Sequence, residues 1–328
     1  VSEPFALFGT DLFGDAVCPK GRGPLAKRFE FPPFSVLDAR SGEWQERKRA
    51  WLSLGIQGEI GRGMVRPHGK DTRPAAYGAG DDYAGGDCWR GVAEGNTGAS
   101  VFDPVLCELA YRWFCPPGGL VLDPFAGGSV RGIVAAKRGH RYWGCDLRPE
   151  QIAANEAQAA SMLTSGEPAP EFVCGDSRKA LATAPLADFV FSCPPYGDLE
   201  RYSDNERDLS AMAWTEFCAA YRSIVVGALE RLRQNRFAAF VVGEFRDAKT
   251  GLYRGFVPFT CAVFVAAGAG FYNEAVLVTP CGSLPVRIGK QFTAGRKLGK
   301  SHQQLLVFVK GDATEAARAC GQIVGAAA

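Results

Sequence analysis

The chain has almost no net charge: 37 Lys and Arg against 35 Asp and Glu leave +2 over 328 residues. So small a charge gives a polyanion little long-range attraction, and a nucleic-acid partner would have to be held by local basic clusters. Long hydrophobic runs are also missing. The most apolar stretch, 256–271, is broken by Pro258 and Gly268. It falls short of the roughly 20 residues of a membrane span and reads as a buried helix. The 11 cysteines are odd in number, scattered and never spaced C-x-x-C, which argues against a disulfide framework or a zinc site, so no metal is expected. Cys145, Cys174 and Cys261 lie in apolar runs and read as inert core thiols in a reducing cytoplasm. No signal peptide and no internal repeat are visible.

What is present is a globular composition, 47% hydrophobic, enough for one substantial core with an elaboration or for two modest domains. From Leu120 onward short β-type runs alternate with helical ones, which implies βαβ units and a parallel sheet. The expected strands are 119–123, 141–146, 171–175, 187–192, 237–243, 274–279 and 304–309. Helices are expected at 129–138, 149–163, 178–184, 215–235 and 257–268, with no long helix between the last two strands. Pro149 suits a first helical turn and Gly139 a helix stop. The first 95 residues are rich in Gly, Pro and Arg, with one short helix expected around 43–53 and a glycine-rich linker over 78–98. A further helix from Asp103 to Phe114 leads into the first strand.

Two loops carry the chemistry. The run Gly-Leu-Val-Leu-Asp123 opens into Pro-Phe125-Ala126-Gly127-Gly128-Ser129 and then a helix, the way an open parallel sheet receives an adenosine-containing cofactor at its carboxyl edge. About 70 residues on, Ala187-Asp-Phe-Val-Phe191 runs into Ser192-Cys193-Pro194-Pro195-Tyr196, so both loops are expected to emerge at one sheet edge. Together they resemble the S-adenosylmethionine-dependent DNA amino-methyltransferases, whose loops read D-P-F-x-G-x-G and [DNS]-P-P-[YFW]. The resemblance spans about residues 96–311, and Pro-Phe-Ser-Val-Leu-Asp38 with Trp44-Gln-Glu-Arg-Lys-Arg-Ala-Trp51 looks like the solitary phage-type members. Two departures stand out: Gly127-Gly128-Ser129 for Gly-Ser-Gly, and Cys193 where Asp, Asn or Ser is usual.

The resemblance implies a Rossmann-like α/β class I methyltransferase with a seven-stranded, mostly parallel sheet. It divides the chain into an N-terminal arm, 1–95, which would contact DNA, and a catalytic domain, 96–328. S-adenosylmethionine is the implied cofactor. Gly127 and Gly128 then admit its methionyl part, with Ala126 in the same turn, and Asp123 bonds its ammonium directly or through water. Asp146 accepts the ribose hydroxyls, Asp176 in Cys-Gly-Asp-Ser177 accepts the adenine amine, and Phe125 and Leu147 flank the adenosine. The plainer reading of each strand-end Asp is a turn former or helix N-cap. Asn96-Thr-Gly-Ala-Ser100 closes over the methionyl carboxylate or merely enters the next helix.

An exocyclic amine is a poor nucleophile because its lone pair is delocalised, so the catalytic loop must hold it with acceptors while Tyr196 stacks on a flipped-out base. Pro194 and Pro195 remove donors and leave backbone carbonyls, and Cys193 offers a weak acceptor. A cysteine thiolate can also attack a pyrimidine ring, yet the Pro before Cys and the E-N-V segment of carbon methyltransferases are absent. Adenine and cytosine remain open as targets. The loop 197–204 is expected to cover the base or simply to connect. Arg287, Lys290, Arg296, Lys297 and Lys300 fall within 283–302, which holds no acidic residue. They suit phosphate contacts with double-stranded DNA or form a solvated hairpin. His302 reads as structural. The alternatives are an RNA or protein amine methyltransferase and a catalytically silent DNA-binding relative.

Overall fold

The computed structural model describes residues 24–57, 66–67, 102–197, 199–282 and 284–323. Its centre is an eight-stranded sheet of β1 (Val36–Asp38), β3 (Leu120–Asp123), β4 (Arg141–Asp146), β5 (Glu171–Cys174), β6 (Ala187–Ser192), β8 (Leu232–Val242), β9 (Gly270–Val278) and β10 (His302–Lys310). The order is β1-β9-β10-β8-β6-β3-β4-β5. β10 runs antiparallel to both neighbours, and every other pairing is parallel. A two-stranded ribbon pairs β2 (Arg66–Pro67) with β7 (Glu200–Arg201). The order and directions match the Rossmann-like, mostly parallel sheet expected from the sequence, extended by one strand beyond the expected seven. The eighth, β1, has only three residues, too few for a period-2 pattern to reveal, and it is held by parallel pairing of Val36 to Val276 and Leu37 to Leu277.

Both faces of the sheet are covered, which is why its strands are nearly continuously apolar. In β8, Phe237, Ala239 and Val241 face one layer while Ala238, Phe240 and Val242 face the other. The first layer is α2 (Gly42–Ser53), α3 (Pro104–Phe114), α4 (Val130–Lys137), α5 (Pro149–Met162) and α10 (Ala313–Cys320). The second is α6 (Ser177–Ala180), α7 (Trp214–Arg231) and α8 (Phe256–Ala266). Asp103 caps α3, accepting from the Val105 N–H at 2.9 Å, with Pro104 in the first turn. A short helix α1 (Pro24–Phe29) precedes β1.

Several expectations are corrected. A 12-residue helix, α9 (Leu284–Gly295), stands between β9 and β10, where none was expected; Leu284, Ile288 and Phe292 at four-residue spacing are its signal. The helix expected over 215–235 ends at Arg231, and Leu232 begins β8 directly, so no turn residue marks the change. The expected helix 178–184 closes after one turn. α8 is half-buried, with Val265 54% exposed. Cys145 is buried as expected, but Cys174 is exposed and Cys261 half-buried. The glycine-rich stretch 78–98 and Asn96–Ser100 lie outside the described residues. Among the described residues no helix is long and apolar enough to cross a membrane.

Residues 24–57 pack into the same core as the sheet. Trp44 and Trp51, seven residues apart on α2, are completely buried. Arg47 between them grips Glu108 of α3 with two 2.6 Å bonds, Trp51 Nε1 adds a third at 2.9 Å, and Arg138 stands 3.3 Å away. Glu30 completes the cluster against Arg47, at 2.9 Å, and Arg112. Burial alone would raise the Glu108 carboxyl; Arg47 and Arg138 outweigh it and hold it below its ordinary value.

Glu108→Gln would remove one of the two carboxylates that face the buried Arg47 and Arg138 guanidinium groups, leaving Glu30 against both, and is expected to cost about 3–5 kcal/mol in urea unfolding. A group with a lowered folded pKa stabilises above its unfolded value, about 4.3, and loses this as pH falls through the folded one. The deficit of the variant should therefore shrink in acid, and a loss below about 1 kcal/mol at neutral pH would refute the role.

Candidate active site

A cavity of about 630 Å³ opens at the carboxyl ends of β3, β4, β5, β6 and β8, within the roughly 300–1,000 Å³ usual for small-molecule sites. The two loops singled out by sequence meet there. Phe125, Gly127, Asp146, Leu147, Asp176 and Ser177 line it on one side. Cys193, Pro194, Pro195 and Tyr196 line it on the other. Asp123, Ala126 and Gly128 stand behind the wall, fully buried.

Asp123 is a correction to the sequence reading. Its side chain has no exposure, and both oxygens are already used. Oδ1 accepts from the Phe125 N–H at 3.1 Å and from the Ser192 hydroxyl. Oδ2 accepts from Arg131 Nε at 2.5 Å and Tyr142 Oη at 2.7 Å. No lone pair remains for a ligand ammonium. The carboxylate instead ties the end of β3 to Ser192, the last residue of β6, and so sets the cofactor-type loop against the Cys193 loop.

Asp146, ending β4, does face the cavity. Its oxygens accept from the Gly127 N–H at 3.1 Å and the Arg148 N–H at 2.9 Å. Burial raises its pKa above the ordinary carboxylate value, against the opposing Arg148 bond, Arg148 charge and Gly127 bond. Gly127 adopts φ +50°, a left-handed conformation that favours glycine. Its carbonyl is fixed by Asn155 Nδ2 at 2.7 Å, Asn155 by Gln151 at 2.9 Å, and Gln151 by Arg148 at 2.7 Å. This buried relay from α5 escaped the sequence reading, since polar residues at four-residue spacing look like a solvated helix face.

Asp176 satisfies the plainer reading as well as lining the cavity. It caps α6 through the Arg178 N–H at 3.0 Å and is clasped by the Arg178 guanidinium at 2.6 and 2.9 Å. Burial would raise its pKa, but the Arg178 bonds lower it overall. Ser177 gives its hydroxyl proton to the Pro124 carbonyl at 2.6 Å and so can only accept further bonds. Phe125 stacks on Tyr221, rings 6.1 Å apart.

On the opposite wall the Tyr196 ring packs edge-on against Phe256, and its hydroxyl accepts from Gln303 Nε2 at 2.8 Å. Cys193 Sγ lies 3.7 Å from that hydroxyl. Lys300 and His302 line the cavity beside Gln303, Nζ to Nε2 at 3.5 Å. Burial lowers the Lys300 ammonium, opposed by Glu244. Burial and then Lys300 lower His302. Glu244 receives three N–H groups at the start of α8, at 2.8–3.2 Å. Of the loop 197–204, Leu199 and Tyr202 reach the cavity and 200–201 pair with β2.

The basic residues divide. Lys290, Arg296 and Lys297 are exposed on and just after α9, whereas Lys300 turns into the cavity; Arg287 belongs to α9, its side chain outside the described residues. β9 runs parallel to the sheet's main direction and β10 returns, so their connection, including α9, lies at the carboxyl edge where the cavity opens. Lys48 of α2 also reaches the wall, 3.2 Å from Asp103.

No family model matches the chain, and no curated protein matches it by sequence. Among solved structures it is similar to TrmN from Thermus thermophilus (19% identity, TM-score 0.43), covering 64% of this chain and 49% of that one. It thus spans about half the length of the Thermus protein. It is similar to the magnesium protoporphyrin IX methyltransferase ChlM of Synechocystis PCC 6803 (11%, TM-score 0.40; 60% and 75% covered). A TehB-like S-adenosylmethionine-dependent methyltransferase from Corynebacterium glutamicum gives 17%, TM-score 0.39, with 65% and 90% covered.

Tyr142 reaches Asp123 because Gly144, two residues on and on the same strand face, has no side chain. A Cβ at Gly144 would stand 2.5 Å from Tyr142 Cε1 and 2.9 Å from Ala126 Cβ. Gly144→Ala should displace the ring and cost about 1–3 kcal/mol in chemical denaturation. Tyr142→Phe, which removes only one donor, should cost about 1 kcal/mol. Equal stability of Gly144→Ala and the parent would show that the ring yields freely.

Proposed function

We propose that the chain transfers a methyl group from S-adenosylmethionine to the exocyclic amine of adenine or cytosine in double-stranded DNA. The observation that carries this reading is the single cavity walled by both the Gly127–Asp146 loop pair and the Cys193–Tyr196 loop. The donor set fits the cofactor: a half-buried carboxylate at Asp146 suits a vicinal diol, Phe125 and Leu147 suit a purine, and left-handed Gly127 leaves its backbone close to the cavity. When bound, S-adenosylmethionine supplies an electrophilic methyl on a sulfonium.

The residues then act by holding and excluding. Tyr196, its hydroxyl tied to Gln303 and its edge against Phe256, presents a fixed ring for a base to stack on. The Pro194 carbonyl accepts no hydrogen bond among the described residues and is available to an amine proton, with the Cys193 backbone or sulfur as the second acceptor. The exposed Lys290, Arg296 and Lys297 at the carboxyl edge favour a phosphate backbone as the partner. In this reading 283–302 grips DNA and the N-terminal segment, through Lys48, borders the entrance.

The deciding experiment incubates the protein with labelled cofactor and duplex DNA or RNA, then identifies the modified nucleoside by mass spectrometry. N6-methyladenine or N4-methylcytosine in DNA is expected; label only in RNA or protein, or none, would overturn the reading.

Two substitutions test the loop. Cys193→Ser should keep or raise turnover, a hydroxyl being the better acceptor; a dead variant together with a 5-methylpyrimidine product would point to a covalent thiolate. Tyr196→Phe should retain most activity while Tyr196→Ala loses on the order of 1–3 kcal/mol of base stacking. Equal losses would implicate the hydroxyl instead.

Asp146 must be ionised to accept two hydroxyls, so affinity for S-adenosylhomocysteine should fall as pH drops through its raised pKa, earlier than for an ordinary aspartate near 3.9. Asp146→Asn should abolish that acid limb and weaken binding about ten- to a hundredfold at neutral pH by calorimetry. An unchanged acid limb would exclude Asp146.

A further inference from the structure

We propose that Arg131 is the carboxylate anchor of the cavity, holding the amino-acid end of the nucleoside cofactor. The inference rests on the cofactor assignment above and concerns a residue outside both sequence motifs. Arg131 lies in the first turn of α4, is 5% exposed, and still lines the cavity.

A guanidinium carries five N–H donors in one plane. Three are used: Nε on Asp123 at 2.5 Å, and Nη2 on the carbonyls of Phe125 at 2.5 Å and Ala126 at 2.9 Å. The ring of Phe102 covers one face, 4.6 Å from the guanidinium carbon. Nη1 makes no hydrogen bond to any described residue, which leaves two donors on a buried cation with its plane already fixed. Such a group is pre-organised for an anion, because little side-chain entropy is left to lose.

Its position matches one end of an elongated ligand. The order β6-β3-β4-β5 puts Arg131, below the β3 loop and beside Cys193 of the β6 loop, at one end, with Asp146 and Asp176 toward the other. A molecule with a nucleoside at the β4–β5 end therefore brings its far end to Arg131 and the Cys193 loop. Asp123 keeps the buried pair neutral, and an α-amino acid is itself a zwitterion, so binding adds no net charge to the interior. A purely structural role, bracing Asp123 and the loop carbonyls, would leave the two Nη1 protons without a partner among the described residues.

The test compares S-adenosylhomocysteine, its decarboxylated analogue and 5′-methylthioadenosine by calorimetry. The parent protein should prefer S-adenosylhomocysteine over the decarboxylated analogue about ten- to a hundredfold. Arg131→Lys, which keeps a cation beside Asp123 but loses the planar fork, should reduce that preference at least about fivefold, with 5′-methylthioadenosine affinity changed by less than about threefold. Arg131→Met combined with Asp123→Asn, which avoids an unpaired buried charge, should abolish it, circular dichroism confirming the fold. No preference in the parent, or a full preference in folded Arg131→Lys, would overturn the anchor while sparing the cofactor assignment. Failure of the parent to bind S-adenosylhomocysteine at all would overturn both.

Discussion

The site depends on one buried carboxylate. Asp123 receives four hydrogen bonds, from the Phe125 N–H, the Arg131 guanidinium, the Tyr142 hydroxyl and the Ser192 hydroxyl. A charge without solvent is tolerated only when it is paired and fully hydrogen-bonded. That requirement fixes four chain segments relative to one another: the loop after β3, the start of α4, the start of β4 and the end of β6. The two loops of the cavity are thus positioned by a common centre, before any ligand is considered.

A second layer of buried polar groups sets the loop shape. The chain Arg148–Gln151–Asn155 ends on the Gly127 carbonyl, and the Gly127 N–H ends on Asp146. The glycine is held from both sides, so its left-handed conformation is imposed by neighbours from β4 and α5. A loop built this way is rigid, and rigidity reduces the entropy a ligand must remove on binding.

The N-terminal segment is part of this construction. α2 is bound to α3 through two buried tryptophans and the Arg47–Glu108 pair, and it delivers Lys48 to the cavity wall. β1 adds a strand beyond β9. Truncation ahead of α3 would open the Glu108 cluster and remove a wall of the cavity together. The basic segment after β9 is attached differently: its helix is largely exposed and Lys300 alone of its four described basic side chains turns inward. In the proposed reading, this is the surface that meets DNA at the rim of the cavity.

Local pattern was enough for most of the sheet. Apolar runs bounded by Gly, Pro and Asp placed β4 and β6 to the residue, because strands buried on both faces leave little doubt about their extent. The two loops were legible because Gly and Pro dictate backbone shape wherever they stand. Sequence alone missed β1, whose three residues are defined only by a partner 240 positions away, Val36 on Val276. It read α9 by its charges and overlooked its spacing, and it passed over α10, although Asp312 with Glu315 three residues on is a helix-start signal. Asp123 shows the deeper limit. A strand-end aspartate can face a ligand, cap a turn or bridge two loops, and the residue type is the same in all three. Only the tertiary fold, by surrounding that carboxylate with Arg131, Tyr142 and Ser192, decided that it is a buried brace and left Arg131 facing the cavity.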